Sequence, residues 1–142
     1  MNTKPLRASV SRHAHFNAAH RLYVKSWTDA QNEAQFGPCS NPRYHGHNYE
    51  LIVSVTGNID SDTGYVVDTK MLSDLIKKEV ESRMDHRNLN LEVAPFTDGM
   101  IPSAENIAVC IWKWLKPHLN NEFDLKVTLY ETPRNYVEYS GQ

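Results

Sequence analysis

Residues 48–56 alternate between polar and large apolar side chains, and this pattern constrains the fold more than any other in the chain. The apolar positions are Tyr49, Leu51, Val53 and Val55. Strand side chains point alternately to opposite faces, so the alternation predicts a β-strand with one face in the core. A sheet that contains such a strand needs helices or a second sheet over its apolar face.

Two histidines, His45 and His47, continue the same frame, so the predicted strand turns both imidazoles inward. A third histidine, His20, lies upstream near another predicted strand. Catalytic zinc sites use three protein ligands and leave one coordination position open. These three histidines supply that number if the two strands are neighbours. His13 and His15 have the same spacing, but no nearby thiol and no comparable strand pattern follows them, so they rank lower.

The two cysteines of the chain suggest different roles. Cys39 lies in a turn-like stretch six residues before His45. It is either a fourth ligand that closes a structural zinc site or a reactive thiol activated by a nearby cation. Cys110 lies on the apolar face of a predicted helix, where a cysteine usually acts as a small buried hydrophobe.

The remaining patterns predict an α+β fold with helices on one face of an antiparallel sheet. The predicted order is strand, strand, helix, helix, strand, strand. Asp68 and Ser103 have the side chains of helix N-caps, and Glu105 follows near the positive end of the second helix. The strands are expected at 8–16, 48–56 (continued at 65–67), 125–130 and 136–139, the helices at 69–84 and 103–119, and a loop at 89–102.

Two further acidic positions have open interpretations. Asp85 and His86 follow the first predicted helix, and both reach one site only if the helix ends at Met84. An ordinary helix C-terminus, with His86 near the dipole, is the alternative that the local sequence favours. Glu131, at a predicted strand end, is solvated unless that end faces the metal site. There it would bind a guanidine-like N–C–N edge through two parallel hydrogen bonds.

Composition limits the class of protein. A length of 142 residues fits one domain with its own core, assigned here to residues 1–142. The net charge of −2 gives no general basic field for nucleic acid. No window approaches the ~20 apolar residues of a membrane span, and residues 1–10 lack the apolar core of a signal peptide. Two cysteines fit a reducing cytoplasm better than a disulfide framework.

The chain resembles the 6-pyruvoyl-tetrahydropterin synthase family, which has the tunnelling fold (T-fold). The resemblance covers residues 16–141, and its motifs stand in the family's order and spacing. They are FNAAHRL, FGPCSNPRYHGHNYE, MDHRNLNLEV, AENIAVCIW and VTLYET. It implies an antiparallel four-stranded sheet with two helices on one face. It also implies a homohexamer, a dimer of trimers, whose strands join into barrels and whose sites lie between subunits.

The resemblance also implies a reaction and the roles of site residues. The family substrate is 7,8-dihydroneopterin triphosphate, and catalysis needs zinc but no nicotinamide or flavin. The expected zinc ligands are His20, His45 and His47. Cys39 is the expected base, Asp85 and His86 supply a second acid–base function, and Glu131 anchors the pterin. Ser103 and Glu105 are further substrate-binding candidates. Candidates for holding the triphosphate are Arg21, Lys25, Arg43, Arg87 and Arg134.

Departures from the family pattern lie at the rim of the site. Ser103 and Ala104 stand where paired threonines are common, Arg43 and Tyr44 replace Asn-Gly, and Pro38 stands where lysine is common. These changes bear on the preferred substrate side chain.

The family has several branches. The five residues between Cys39 and His45 favour the branch that forms 6-pyruvoyl-tetrahydropterin and releases triphosphate. The alternative is the 6-carboxy-tetrahydropterin synthase branch of queuosine biosynthesis, which releases acetaldehyde as well. A further branch uses glutamate in place of the cysteine, and Cys39 argues against it. A non-catalytic zinc-binding module is the third possibility.

Overall fold

One sheet forms the framework of the fold, with strands in the order β3-β1-β2-β4-β5. The computed structural model describes residues 4–142, so residues 1–3 of the predicted domain lie outside the described part. The strands are β1 (Arg7–His20), β2 (His45–Asn58), β3 (Arg87–Asn88), β4 (Asp124–Thr132) and β5 (Asn135–Tyr139).

Strands β1 and β2 form the centre of the sheet and pair antiparallel over their full length of 14 residues each. The alternation in β2 has the predicted result, because the inward side chains of Tyr49, Leu51, Val53 and Val55 are all fully buried. The register places Phe16 opposite Tyr49. Their rings stack with centroids 4.9 Å apart. This contact holds the two strands together near the end of the sheet where His20 pairs with His45.

The helical segments begin at well-formed caps. Asp68 accepts a 2.9 Å hydrogen bond from the N–H of Lys70, and Ser103 accepts one of 3.2 Å from the N–H of Asn106. Both predicted caps are thus confirmed. The α-helices are α1 (Asp29–Phe36), α2 (Thr69–Ile76), α3 (Ser82–Met84), α4 (Leu89–Glu92) and α5 (Ala104–Leu115), and a π-helical segment (Lys77–Glu81) joins α2 to α3.

The core lies between the sheet and these helices. Helix α5 contacts β4 and β5, whereas α2 contacts β1. Buried apolar side chains of α2, α3, α5 and the π-helical segment join the inward residues of the strands in one cluster. From the helices this cluster includes Leu72, Ile76, Val80, Met84, Ile107, Ile111 and Leu115. The predicted α+β arrangement is therefore confirmed, and the polar face of β1 and β2 stays outside the cluster.

The predicted strand count was wrong. The described residues form a mixed sheet of five strands, because β3 pairs parallel with β1 at Ala18 and Ala19. A two-residue strand has too little alternation to be found in a sequence. Most of the outer edge of β1 has no strand partner within residues 4–142, and the monomer sheet does not close into a barrel.

Other boundaries differ from the predictions. Residues 65–67 contain a bend at 66 and 67 and no strand, and the predicted loop 89–102 contains α4 and the 3-10 turn Phe96–Asp98. Strand β1 extends to His20 instead of ending at residue 16, because Ala18 and Ala19 continue the pairing with β2. The side chains of these two residues have the same size, so the sequence shows no alternation there. No helix in the described part of the chain is both long and apolar enough to cross a membrane.

Candidate metal and substrate site

The structure brings His20, His45 and His47 together at one end of the sheet. His20 is the last residue of β1, and its register partner is His45, the first residue of β2. His47 follows two positions along β2 and therefore shares the inward face with His45. Each histidine has a ring nitrogen within 4.8 Å of those of the other two.

The ring nitrogens have the chemistry of metal ligands. Among buried side-chain nitrogens, Nε2 of His20, both ring nitrogens of His45 and Nε2 of His47 have no hydrogen-bond partner within the described residues. Unpaired buried polar atoms are costly, so a group of them facing one point indicates a ligand. Burial and the neighbouring histidines lower the pKa of His20 to about 4, against the weaker opposing effect of Pro102. Burial and His47 lower the pKa of His45.

Neutral imidazole is the form that binds metal ions, so this environment fits a divalent cation. Nδ1 of His20 lies 2.8 Å from the carbonyl oxygen of Pro102. A carbonyl only accepts, so this bond assigns the proton to Nδ1 and leaves the lone pair on Nε2. Such a partner orients a histidine ligand towards its metal.

Tyr49 is a site residue that sequence reasoning counted only as core. Its hydroxyl lies 3.3 Å from His20 Nδ1, and its ring stands edge-on to His47 at 5.6 Å. Burial raises the pKa of Tyr49 strongly, and the charges of Glu131 and Cys39 raise it further. The phenol therefore stays protonated. The frame that contains His45 and His47 already includes Tyr49, so the alternation of β2 was the signal that pointed to it.

Cys39 lies in the 3-10 turn Gly37–Ser40 beside the end of β1. Its carbonyl oxygen accepts a 2.8 Å hydrogen bond from the N–H of Leu22, and the Arg21 Nε donates one of 2.7 Å to the Ser40 carbonyl. The thiol is free and half-buried. It does not belong to the group of candidate metal ligands, which consists of His20, His45 and His47 and is called the histidine group below. This placement suits a reactive thiol better than a fourth ligand.

Asn90 binds the backbone of Arg21, whose side chain contacts the turn that contains Cys39. Its side-chain oxygen accepts a 2.8 Å hydrogen bond from the N–H of Arg21, and its Nδ2 donates one of 2.9 Å to the Arg21 carbonyl. The amide side chain thus pairs with a backbone segment as a neighbouring strand would. Nothing in the sequence pattern distinguishes Asn90 from the polar residues around it.

Asp85 and His86 lie together at the outer edge of β1. The helical segment ends at Met84, and His86 has a positive φ of 60°, so the two side chains meet with 3.1 Å between carboxylate and Nδ1. The backbone of Asn17 bonds to both: its N–H to the Asp85 carboxylate, and its carbonyl to the N–H of His86. The bond from Asn17, with His86 adding to it, lowers the pKa of Asp85.

This pair stands apart from the histidine group in the same chain. His86 has a side chain that is 77% exposed, and neither residue belongs to the group of ligating atoms. His86 and His47 nevertheless border one open cavity of about 490 Å³. The helix end also holds the pair, since the N–H of Asp85 donates a 2.9 Å hydrogen bond to the Glu81 carbonyl, so helix terminus and strand edge together place the two side chains.

The remaining predicted site residues lie on β4 and at the start of α5. Glu131, on β4, has a carboxylate oxygen 3.9 Å from Nε2 of His47. The end of β4 therefore faces the site, as the anchoring hypothesis requires. Ser103 directly follows Pro102 and caps α5, and Glu105 is exposed in the first turn of the same helix.

The candidate basic residues are spread over several surfaces. The guanidinium of Arg21 stacks on the Tyr23 ring at 3.8 Å, and its Nε binds a carbonyl, so its contacts are structural. Arg87 lines the cavity next to His86 and lies 3.6 Å from Glu92. Lys25 borders a separate cavity of about 260 Å³. Arg43 and Arg134 are exposed, and within residues 4–142 only their backbone N–H groups make hydrogen bonds, to Asn41 and Thr132.

Sequence comparison supplies the family. The family model described as 6-pyruvoyl tetrahydropterin synthase matches residues 9–142. A 6-pyruvoyl tetrahydrobiopterin synthase from Pongo abelii is 43% identical over 136 residues, which cover 96% of this chain and 93% of that protein. The chain belongs to the 6-pyruvoyl tetrahydropterin synthase family.

Two more comparisons bear on the fold and on the branches of the family. A solved structure of Caenorhabditis elegans 6-pyruvoyl tetrahydropterin synthase matches with a TM-score of 0.90 and 34% identity, covering 99% of this chain and all of that one. A 6-carboxy-5,6,7,8-tetrahydropterin synthase from Rickettsia conorii is more distant, at 30% identity over 145 residues, with coverage of 90% and 96%.

Proposed function

We propose that this protein is a zinc-dependent lyase that converts 7,8-dihydroneopterin triphosphate to 6-pyruvoyl-tetrahydropterin and releases triphosphate. The observation that carries the proposal is the group of three histidines with unpartnered ring nitrogens, in a chain of this family. His20, His45 and His47 would hold the ion, and Cys39 stays outside as a reactive group. A zinc ion bound there supplies Lewis acidity to the substrate side chain.

The protein side chains have separate tasks in this reaction. The Cys39 thiolate removes a proton from the substrate side chain, and His86, oriented by Asp85, relays or returns one. The substrate side chain enolises next to the carbon that bears the triphosphate, and triphosphate then leaves. The reducing equivalents of the side chain pass to the ring, so no external oxidant or reductant is required. Glu131 accepts the N–H groups of the pterin edge, and Ser103 and Glu105 line the approach from helix α5.

An assembly of copies is part of the proposal. Two strand edges are available for it within residues 4–142: most of the outer edge of β1, and the outer edge of β5. Open edges of this length favour pairing with another chain. We infer a homohexamer of two stacked trimers, in which strands join into barrels and the exposed His86 serves a neighbouring site. We also assign residues 1–142 to one domain and the protein to the cytoplasm, because two cysteines are too few for a disulfide framework.

The test is a product assay with zinc-loaded protein and 7,8-dihydroneopterin triphosphate, read by mass spectrometry with acetaldehyde trapping. Pyruvoyl-pterin with free triphosphate and no acetaldehyde supports the proposal. Acetaldehyde with a carboxypterin assigns the protein to the 6-carboxy branch, which the more distant relative represents. No turnover by protein that contains zinc revives the non-catalytic module. Sedimentation of the same sample tests the hexamer.

A further inference from the structure

Asn106 lies in the first turn of helix α5, outside the histidine group, and closes the turn that precedes the helix. Its Nδ2 donates a 2.9 Å hydrogen bond to the carbonyl oxygen of Ile101. Its backbone N–H donates one of 3.2 Å to Ser103 Oγ. The N–H of Ser103 also donates to the Ile101 carbonyl, at 2.9 Å. The Asn106 side chain and the N–H of Ser103 thus both bond to the Ile101 carbonyl.

The same turn contacts a candidate metal ligand, His20, through a backbone carbonyl. Pro102, between Ile101 and Ser103, is buried, and its carbonyl oxygen lies 2.8 Å from Nδ1 of the fully buried His20. Proline has a fixed φ and no N–H. The direction of its carbonyl group therefore depends on how the turn is anchored on either side. Asn106 supplies the side-chain part of that anchor.

We propose that Asn106 is a positioning residue of the metal site. By fixing the turn, it aims the Pro102 carbonyl at His20 and so selects the tautomer that presents Nε2 to His45 and His47. This inference rests on the proposed metal-dependent function. It also means that the Asn106 side chain links the placement of a metal ligand to the helix turn that carries Ser103 and Glu105.

The bland alternative is that Asn106 only stabilises the start of α5. The substitution Asn106→Asp separates the two roles. Aspartate has the same shape, and a carboxylate in the first turn of a helix is favoured by the helix dipole. It cannot donate to the Ile101 carbonyl, however, and it sets a negative charge against that oxygen. A helix-stabilising role predicts no loss, whereas a positioning role predicts a disturbed His20.

Two measurements decide between these roles. The first is the ¹⁵N NMR spectrum of the imidazoles in metal-free protein, where we expect wild-type His20 to be protonated at Nδ1. The second is zinc affinity, measured by competition with a chelating indicator. For Asn106→Asp we expect mixed tautomers at His20 and zinc affinity lowered about 10–100-fold, the range found for partners of metal ligands. Circular dichroism and thermal melting check that the fold is kept.

Asn106→Ala, which loses the donor without adding charge, is the second variant and should move both readouts in the same direction. Asp68→Ala is the control, because it weakens the start of another core helix, α2, by removing its N-cap without touching the turn at Pro102. It should leave zinc affinity and the His20 spectrum unchanged. Wild-type affinity and spectrum in both Asn106 variants would overturn the inference. Failure of wild-type protein to bind zinc would instead refute the proposed function, and the spectrum of metal-free protein would still decide the role of Asn106.

Discussion

Nε2 of His47 and a carboxylate oxygen of Glu131 lie 3.9 Å apart where β2 and β4 approach their site ends. Both side chains are largely shielded, with 20% and 25% exposed, so solvent screens the interaction only in part. The distance is too long for a direct hydrogen bond. The carboxylate is therefore free to accept bonds from a ligand while its charge favours a cation among the histidines.

This geometry predicts that Glu131→Gln weakens substrate binding and keeps the fold. The amide has the same shape but loses the negative charge that a pair of ring N–H donors prefers. Hydrogen bonds to charged groups contribute about 1.5–3 kcal/mol, which corresponds to roughly a 10–100-fold increase in KM. Steady-state kinetics with 7,8-dihydroneopterin triphosphate measure the change. An unchanged KM would remove Glu131 from the binding residues.

The histidine group predicts a clear division in metal content. His45→Ala should abolish stoichiometric zinc binding, because His45 offers a ring nitrogen within 4.8 Å of those of His20 and His47, and neither of its ring nitrogens has a hydrogen-bond partner among the described residues. Cys39→Ala should keep the zinc and the fold and lose turnover, because the thiol lies outside the group. Elemental analysis after dialysis measures the metal directly, and a product assay measures turnover.

His13→Ala is the control for metal content, since His13 is exposed on the opposite face of β1. It should bind zinc as the wild-type protein does. Loss of zinc and of folded structure in Cys39→Ala would identify a closed structural site instead of a catalytic one. Retention of zinc in His45→Ala would disprove the ligand assignment.

The metal-free protein should lose stability as the pH falls from about 6.5 to 4. An unfolded histidine titrates near 6.5, whereas the pKa of folded His20 is about 4. Between these values the unfolded state binds the extra proton, so the free energy of unfolding falls, by roughly 3 kcal/mol at most. Above pH 6.5 the contribution is complete, and below pH 4 no further loss comes from this group.

Denaturant titrations of metal-free protein at pH 7 and pH 5 measure this effect. His20→Gln removes the titrating group and should show a shallower decline with acidity than the wild-type protein. Identical pH profiles for the two proteins would show that the buried imidazole does not contribute as described.

The sheet core predicts a large loss of stability for Leu129→Ala. Leu129 is fully buried on β4, opposite Leu51 on β2. Replacing a buried leucine by alanine costs about 2–5 kcal/mol through lost burial and the remaining cavity. Lys126→Ala on the same strand is the control, because Lys126 is exposed and its ion pair with Glu138 spans 3.9 Å. A loss below 1 kcal/mol for Leu129→Ala would mean that the core relaxes around the vacancy.

The sequence predicted those parts of the fold that repeat a simple period. The alternation through Tyr49, Leu51 and Val53 located β2 and its inward histidines, and the caps at Asp68 and Ser103 located the long helices. Residues 65–67 misled because a short apolar run has no period of its own. Strand β3 was missed because its two residues pair through backbone groups that every residue possesses.

The candidate site was predictable to the same extent. His20, His45 and His47 could be grouped from spacing and strand frame. The partner of His20 is the carbonyl of Pro102, and a backbone acceptor leaves no mark on the sequence. The edge contact of Asp85 and His86 with Asn17 joins residues that are far apart in the chain, so only the folded arrangement reveals it.

The two hydrogen bonds between Asn90 and Arg21 determine when the segment beside Cys39 becomes ordered. Because they secure the segment next to the Cys39 turn through protein groups alone, the conformational entropy of placing that turn is lost when the chain folds, not when a ligand arrives. When the receptor is already ordered, less of the ligand's binding free energy is lost in ordering it. The backbone of the Cys39 turn is thus ordered by protein contacts before any ligand binds.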